Sequence, residues 1–166
     1  MSTWDERFIA MARLVATWSK DPSTKVGCVL IEPSTHAVIG VGFNGFPRGV
    51  REEMPVVTGF PNLDMKRWDR PQKYQWAEHA ERNAIYNAAR LGHPTEGAWA
   101  YVSWDPAESV CADCARALIQ AGIKRVIGPS DGVQGRLDID NDGGWRAGCE
   151  ISAQMFKEAD VVVITL

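Results

Sequence analysis

The chain has 166 residues, of which 45% are hydrophobic and 23% charged, ordinary values for one globular domain over residues 1–166. The 18 Lys and Arg against 21 Asp and Glu leave a net charge of −3. Without a basic patch, a nucleic-acid polymer is not an expected partner. No apolar stretch approaches the roughly 20 residues of a membrane span, and the first residues lack a secretory signal, so we expect a cytoplasmic protein with no membrane partner.

Hydrophobic periodicity predicts alternating helices and strands. A helix capped by Ser2 or Thr3 precedes a hairpin of two strands, and a helix precedes each of three further strands. Because helices of this length join neighbouring strands by right-handed crossovers, the last three strands should be parallel. The expected fold is α/β, with a mixed five-stranded sheet between helices. The predicted helices are about 3–20, 76–91, 111–121 and 145–159, and the strands 26–31, 38–43, 98–103, 125–128 and 161–166.

Two long segments, 44–73 and 129–144, are rich in Gly, Pro and Asp and are expected to be mostly loop. A loop as long as 44–73 in a compact domain is usually functional or mobile. The first of them leads directly into the second predicted helix.

Two short motifs bring together metal-ligand side chains and an acid. Cys111 and Cys114 are three residues apart at the predicted start of a helix, where the dipole favours the thiolates that bind zinc. His79 adds a nitrogen ligand at the start of another helix. Three protein ligands leave a fourth position for water, which is typical of catalytic zinc. Glu81, two residues after His79, can then carry protons between that water and a substrate amine.

Other interpretations of these residues remain open from spacing alone. A closed structural zinc site would need a fourth ligand, for which Cys149, His36 and His93 are the candidates. A redox C-x-x-C pair is a further alternative, but it leaves His79 and Glu81 without a role. Cys28 lies in an apolar strand and is expected to be a core residue.

Motifs along nearly the whole chain resemble the deoxycytidylate deaminases of the cytidine deaminase superfamily. The resemblance implies a three-layer αβα cytidine-deaminase-like fold. It also implies hydrolysis of dCMP to dUMP and ammonia by a zinc-activated water, with Glu81 as the proton shuttle. The motifs are S-K-D-P at 19–22, K-V-G at 25–27, G-F-N-G-F-P at 42–47, H-A-E-R-N-A-I at 79–85, C-A-D-C at 111–114 and A-G-I at 121–123.

The same resemblance assigns roles to individual residues. It implies that His79, Cys111 and Cys114 hold Zn²⁺ and that the Ala80 backbone amide binds the pyrimidine carbonyl. Asn44 should bind the sugar. The residues expected to face the nucleotide phosphate are Ser23, Thr24 and Lys25.

The family is typically oligomeric and regulated by nucleoside triphosphates. The resemblance therefore implies a homo-oligomer, expected to be a hexamer, with dCTP and dTTP as effectors and Mg²⁺ accompanying the regulatory nucleotide. The candidate regulatory contacts are Gly45, Arg48 and Arg90.

The chain departs from the family pattern beside the metal ligands. Val110 stands where the family has Pro before its first Cys, and 107–110 is inserted. The aromatic residue expected after the fourth strand is replaced by G-P-S-D, so Trp104 or Trp145 is the candidate to stack on the base. The alternatives are therefore a related substrate, such as dCTP or a 5-substituted dCMP, or a non-catalytic zinc-stabilised nucleotide-binding module.

Overall fold

The computed structural model describes residues 3–52, 67–131 and 144–166. Helix α1 (Trp4–Ala16) begins at a capping box, in which Thr3 Oγ1 accepts from the Glu6 amide at 3.2 Å and Glu6 Oε2 accepts from the Thr3 amide at 2.7 Å. Thr3 is thus the cap. The remaining elements are β1 (Gly27–Glu32), β2 (Ala37–Phe43), α2 (Lys73–Trp76), α3 (Ala80–Leu91), β3 (Trp99–Val102), α4 (Pro106–Ser109), α5 (Ala112–Gln120), β4 (Arg125–Gly128), α6 (Gly144–Glu158) and β5 (Val162–Thr165).

The five strands form one sheet in the order β2-β1-β3-β4-β5. Strand β1 is antiparallel to both β2 and β3, whereas β3, β4 and β5 are parallel to one another. The predicted mixed sheet and its parallel half are confirmed. Among the described residues, none of the helices has both the length and the apolar character of a membrane span.

Helices cover both faces of the sheet. On one face, α1 packs Phe8, Ala12 and Val15 against Val29 and Ile31 of β1. On the other face, α3, α5 and α6 pack in a second buried cluster that includes the sheet residues Cys28 and Leu30. Cys28 is fully buried there, as expected of a core residue.

Helix α3 lies unusually close to the hairpin because both surfaces carry small residues. Its buried residues Ala80, Ala84 and Ala88 face β2, which has glycines at 40 and 42. A Cβ on Gly42 would lie 2.2 Å from the carbonyl oxygen of Ala80, so only glycine fits. This contact fixes the N-terminal turn of α3, which follows His79, against the sheet.

Two differences from the predicted elements lie beside this turn. The helix predicted from residue 76 begins instead at Ala80, because Glu78 pairs with Gly45 through two backbone hydrogen bonds of 3.0 and 2.8 Å. The segment predicted to be an insertion, 107–110, overlaps α4, where Asp105 caps the Ala107 amide at 2.9 Å and Pro106 takes the first turn. The predicted loops at 44–73 and 129–144 lie partly outside the described residues.

Candidate active site

The starts of two helices meet in space. His79 immediately precedes α3 and Cys111 immediately precedes α5, and each has an extended backbone conformation. Cys114 follows in the first turn of α5. Since helix N-termini carry partial positive charge, both helices favour negatively charged groups at this point.

The three predicted ligands form what we call the metal cluster: His79, Cys111 and Cys114. Their ligand atoms lie within 4.8 Å of one another, and His79 Nδ1 lies 3.4 Å from each of the two Sγ atoms. Tetrahedral zinc with normal Zn–S and Zn–N bonds separates sulfur and nitrogen ligands by about 3.5 Å. The donor set and its spacing therefore fit zinc.

The candidate fourth ligands are placed elsewhere. His36 stacks on Trp4 with 4.4 Å between ring centroids, and His93 Nδ1 lies 2.8 Å from the Ile39 carbonyl oxygen. The Cys149 thiol donates to the Glu108 carbonyl at 3.3 Å. Within residues 3–52, 67–131 and 144–166, the metal cluster has three members, which is the arrangement of an open site.

The two thiols of the cluster differ in their protonation. Hydrogen bonding from Cys114, together with the neighbouring His79, lowers the pKa of Cys111 to about 4. That same hydrogen bond to Cys111, and burial, raise the pKa of Cys114. Burial alone would lower the pKa of His79, but the Cys111 thiolate outweighs this effect and raises it.

Glu81 lies beside the cluster. It is 3% exposed, and its Oε2 lies 3.5 Å from Cys114 Sγ. Burial is the main cause that raises the pKa of this carboxyl above its ordinary value. A carboxyl with a raised pKa can both hold and release a proton, as a general acid and base must.

Arg82 connects the two helices that carry the cluster. Its guanidinium forms an ion pair with Glu78, whose Oε1 also accepts from the His79 amide at 3.0 Å, and it lies 3.8 Å from Asp113 Oδ2 on α5. Partners outside the ligand shell fix the orientation of metal ligands. Arg82 therefore holds the two halves of the site together.

A cavity opens beside the cluster and joins it to residues from the N-terminal half of the chain. The ring of Trp145 lies 6.3 Å from that of His79. The residues that line the cavity are Asp21, Thr24, Val26, Asn44, Arg70, Lys73, Tyr74, Ala77, His79, Ala80, Glu81, Ser109 and Trp145.

Several residues of the cavity wall, together with Ser23 beside it, form a set of linked polar residues that we call the lysine network. Lys73 is 4% exposed and donates from Nζ to Asp21 Oδ2 at 2.9 Å and to Ser23 Oγ at 2.7 Å. Arg70 donates to Thr24 Oγ1 at 3.4 Å. The network, which is completed by Asn44, brings two cationic side chains to the cavity. Its members are Asp21, Ser23, Thr24, Asn44, Arg70 and Lys73.

Asn44 organises this network. Its Nδ2 donates to the Thr24 carbonyl at 2.8 Å and to Asp21 Oδ2 at 3.2 Å, while its Oδ1 accepts from the Val26 amide at 2.8 Å. The side chain thus fixes the turn that leads into β1, and it also lines the cavity.

Sequence reasoning did not identify Arg70 and Lys73 as site residues. The available signal was position, since Lys73 lies six residues before His79 on the segment that leads into α3. Lys25, by contrast, is exposed and lies outside the cavity wall. Trp145 lines the cavity, whereas Trp104 lines a separate depression with Arg13, Ser103 and Asp131.

The three candidate regulatory residues do not line the cavity either. Gly45 pairs with the backbone of Glu78. Arg48 donates to Asn87 Oδ1 at 2.7 Å, and Arg90 is exposed in the last turn of α3.

With this geometry in hand, comparison with known proteins identifies the family. The sequence model of the cytidine and deoxycytidylate deaminase zinc-binding region matches residues 2–128. The chain belongs to this family. The family, the deaminase class of activity and the zinc-binding character that the sequence predicted are confirmed.

Individual relatives agree with this assignment. An uncharacterized deaminase of Aliivibrio fischeri is 36% identical over 166 residues, covering all of this chain and 95% of the relative. Human deoxycytidylate deaminase is 38% identical over 128 residues, which are 77% of this chain; the matched part is 65% of the human protein. The chain thus spans just under two thirds of the human relative's length.

Solved structures confirm the fold. The apo crystal structure of dCMP deaminase from the cyanophage S-TIM5 superposes with a TM-score of 0.65, covering 98% of this chain and 96% of that one. The two sequences are 20% identical. The predicted αβα cytidine-deaminase-like fold is therefore confirmed.

Proposed function

We propose that residues 1–166 act as one deaminase domain that hydrolyses dCMP to dUMP and ammonia. The observation that carries this proposal is that one cavity joins the metal cluster and the buried Glu81 to the cationic side chains of Arg70 and Lys73. Such a cavity suits a substrate with an amine on a ring at one end and an anion at the other. The human relative is named a deoxycytidylate deaminase, and the S-TIM5 enzyme was solved with dCMP and dUMP.

His79, Cys111 and Cys114 would hold the zinc. Zinc, when bound, supplies a Lewis acid that lowers the pKa of water to about 7. The low pKa of Cys111 favours the thiolate form in which a cysteine binds zinc.

Glu81 carries the protons of the reaction. It accepts a proton from the attacking water, whose oxygen forms a bond to C4 of the pyrimidine, and it delivers protons to N3 and to the leaving amine. The C4–N4 bond then breaks, ammonia leaves, and the ring keeps the water oxygen as its new carbonyl. Because Glu81 is buried apart from its face on the cavity, it meets the bulk solvent little and exchanges protons with the molecules bound in the cavity.

The base and sugar are held by groups at the entrance to α3. Ala80 is the first residue of that helix, where backbone N–H groups have no partner within the helix, so its amide can donate to the pyrimidine carbonyl. We expect Trp145 rather than Trp104 to contact the base, because Trp145 lines the cavity beside His79. One lone pair of Asn44 Oδ1 remains for a sugar hydroxyl.

The 5′-phosphate would bind at the lysine network. The ammonium of Lys73, held by hydrogen bonds to Asp21 and Ser23, forms part of the cavity wall and supplies positive charge for a phosphate. Arg70 adds a guanidinium in the same wall, and charge-assisted hydrogen bonds to phosphate are strong. We therefore assign the phosphate contact to Lys73 and Arg70 in place of Lys25, with Ser23 and Thr24 beside them.

The oligomeric assembly and the regulation that the family resemblance implies are also proposals. We propose a homo-oligomer, a hexamer by resemblance, that responds to dCTP and dTTP with Mg²⁺. The surface that carries Gly45, Arg48 and Arg90 is the candidate for the effector. Light scattering of the active protein, and turnover with each triphosphate in the presence and absence of Mg²⁺, test both statements. A fully active monomer or an unchanged rate contradicts them.

An ammonia-release assay tests the proposed function. The panel is cytosine, deoxycytidine, dCMP, CMP, dCTP and 5-methyl-dCMP, measured on zinc-loaded protein. We expect the highest kcat/KM for dCMP. A higher kcat/KM for dCTP or for 5-methyl-dCMP would show that one of these nucleotides is the preferred substrate. No ammonia release from any compound would indicate a zinc-stabilised binding module without deaminase activity.

A further inference from the structure

Ser109 differs from the other buried serines among the described residues. Its residue exposure is 6%, and its Oγ is buried with no hydrogen-bond partner in the described part of the chain. The others are all paired: Ser19 Oγ donates to the Asn44 carbonyl, Ser103 Oγ accepts from the Gly27 amide, and Ser152 Oγ donates to the Gly148 carbonyl. Because native proteins satisfy nearly all buried polar atoms, an unpaired hydroxyl calls for an explanation.

The position of Ser109 is fixed by its neighbours. Ser109 is the last residue of α4, whose N-cap Asp105 also accepts from Thr165 Oγ1 at 3.0 Å. The preceding carbonyl, that of Glu108, accepts from Trp145 Nε1 at 3.0 Å and from Cys149 Sγ at 3.3 Å. The hydroxyl therefore lacks a partner even though the backbone around it is held on both sides.

Ser109 also lines the same cavity as Glu81 and His79, two residues before the zinc ligand Cys111. It lies in the segment that the family resemblance predicts to be inserted, just before the C-A-D-C motif. A serine side chain has one rotatable bond to its oxygen, so a change of rotamer is enough to turn the hydroxyl toward a molecule in the cavity.

We propose that the Ser109 hydroxyl binds the exocyclic amine of the substrate, and that the amine is the partner which this hydroxyl lacks in the free protein. This inference rests on the proposed function, which places the amine at the metal-cluster end of the cavity. The hydroxyl oxygen accepts a hydrogen bond from the amine. Once the leaving amine gains a proton from Glu81, the same hydrogen bond becomes charge-assisted and stronger, so the contact favours departure of ammonia.

Kinetics and stability should change in different ways in Ser109→Ala. The variant loses no hydrogen bond of the free protein, so its Tm should equal or exceed that of the wild type. Its kcat/KM for dCMP should fall about tenfold, with part of the loss in kcat, because a site built to bind a polar group discriminates strongly when that contact is lost. Ser152→Ala, a buried serine on α6 outside this cavity, should leave both kinetic constants unchanged.

A binding cycle separates an amine contact from a packing effect and does not require turnover. In the Glu81→Gln background, calorimetry compares the Kd of dCMP with that of the 2-pyrimidinone deoxynucleotide, which lacks the amine. Ser109→Ala should weaken dCMP about tenfold and leave the analogue unchanged. Equal shifts for both ligands, or no shift for either, would overturn the inference.

The outcomes also distinguish this inference from the proposed function. No ammonia release from dCMP by the wild-type protein rejects the proposed function, whatever the Ser109 variant does. Normal release by the wild type together with an unaltered Ser109→Ala variant rejects only the serine contact.

Discussion

The metal cluster and the lysine network lie in the same cavity but are built differently. The metal cluster takes its ligands from two short motifs at the starts of α3 and α5. The lysine network takes Asp21 and Asn44 from two connecting segments and Lys73 from the start of α2, and it joins them by side-chain hydrogen bonds. Each metal-ligand motif is therefore local in sequence, although the two motifs themselves meet only through the fold, whereas every contact of Asn44 and Lys73 in the lysine network joins separate segments.

Removal of the metal ligands should have the largest effect. Cys111→Ala combined with Cys114→Ala leaves His79 as the only ligand of the cluster, so we expect zinc content near zero and no measurable turnover. Elemental analysis and the ammonia assay on the same preparation measure both. Cys28→Ala is the matched control, because that thiol is buried in β1 outside the cluster, and it should keep its zinc. Full zinc retention in the double variant would contradict the assignment.

Glu81→Gln should separate catalysis from metal binding. The amide cannot shuttle a proton, so kcat should fall by about 10²–10⁴-fold while zinc content and dCMP affinity stay near those of the wild type. The kinetics of ammonia release and elemental analysis for zinc test this expectation. Loss of zinc in the variant would mean that Glu81 is a ligand, and normal turnover would mean that another group carries the proton.

Lys73→Met should affect recognition and stability together. It removes the cation from a buried pair, which destabilises a fold by about 3–5 kcal/mol when the partner charge stays behind. It should also lower kcat/KM for dCMP about tenfold while changing deoxycytidine little, because only dCMP carries the phosphate. Urea unfolding and paired kinetics measure the two effects.

Lys25→Met is the matched comparison for that variant, since Lys25 is exposed and lies outside the cavity wall. We expect its ratio of kcat/KM for dCMP over deoxycytidine to equal that of the wild type. The reverse result, a change in Lys25→Met and none in Lys73→Met, would return the phosphate site to Lys25.

The smallest expected effect concerns acid stability. Burial alone would raise the pKa of Asp21, but its hydrogen bonds with Lys73 and Ser23 outweigh burial and lower it below 3.8. A lowered carboxyl pKa stabilises the folded state above pH 3.8, and this contribution is lost as the pH falls below that value. The free energy of unfolding should therefore decrease with acid less steeply in Asp21→Asn than in the wild type. Identical slopes would show that Asp21 has no such role.

The metal cluster could be predicted from the sequence, whereas the lysine network could not. His79, Glu81, Cys111 and Cys114 could be grouped from sequence because the spacing of each motif places its side chains at a helix start. The start of α3 was placed too early, because the pairing of Glu78 with Gly45 joins residues 33 positions apart. The helix and strand propensities of the neighbouring residues carry no information about such a long-range contact.

The choice of Lys25 illustrates a second limit. Thr24 and Val26 both line the cavity, and side chains alternate in direction along an extended chain, so Lys25 points away from it. The sequence placed a lysine in the turn that adjoins the cavity but could not supply the direction of its side chain. For the same reason, Trp104 and Trp145 could not be ranked until the position of α6 beside α4 was known.

Gly42 is the point at which β2 of the hairpin contacts the first turn of α3, the helix that carries Glu81. A methyl group there would collide with the Ala80 carbonyl and the Ala84 amide, in the turn that carries Glu81. Any side chain there would push the first turn of α3 off β2 and so change the position of His79 relative to Cys111 and Cys114. The absence of a side chain at Gly42 thus sets the position of the metal cluster from the opposite side of the helix, and selection for activity would act on a residue outside the cavity wall.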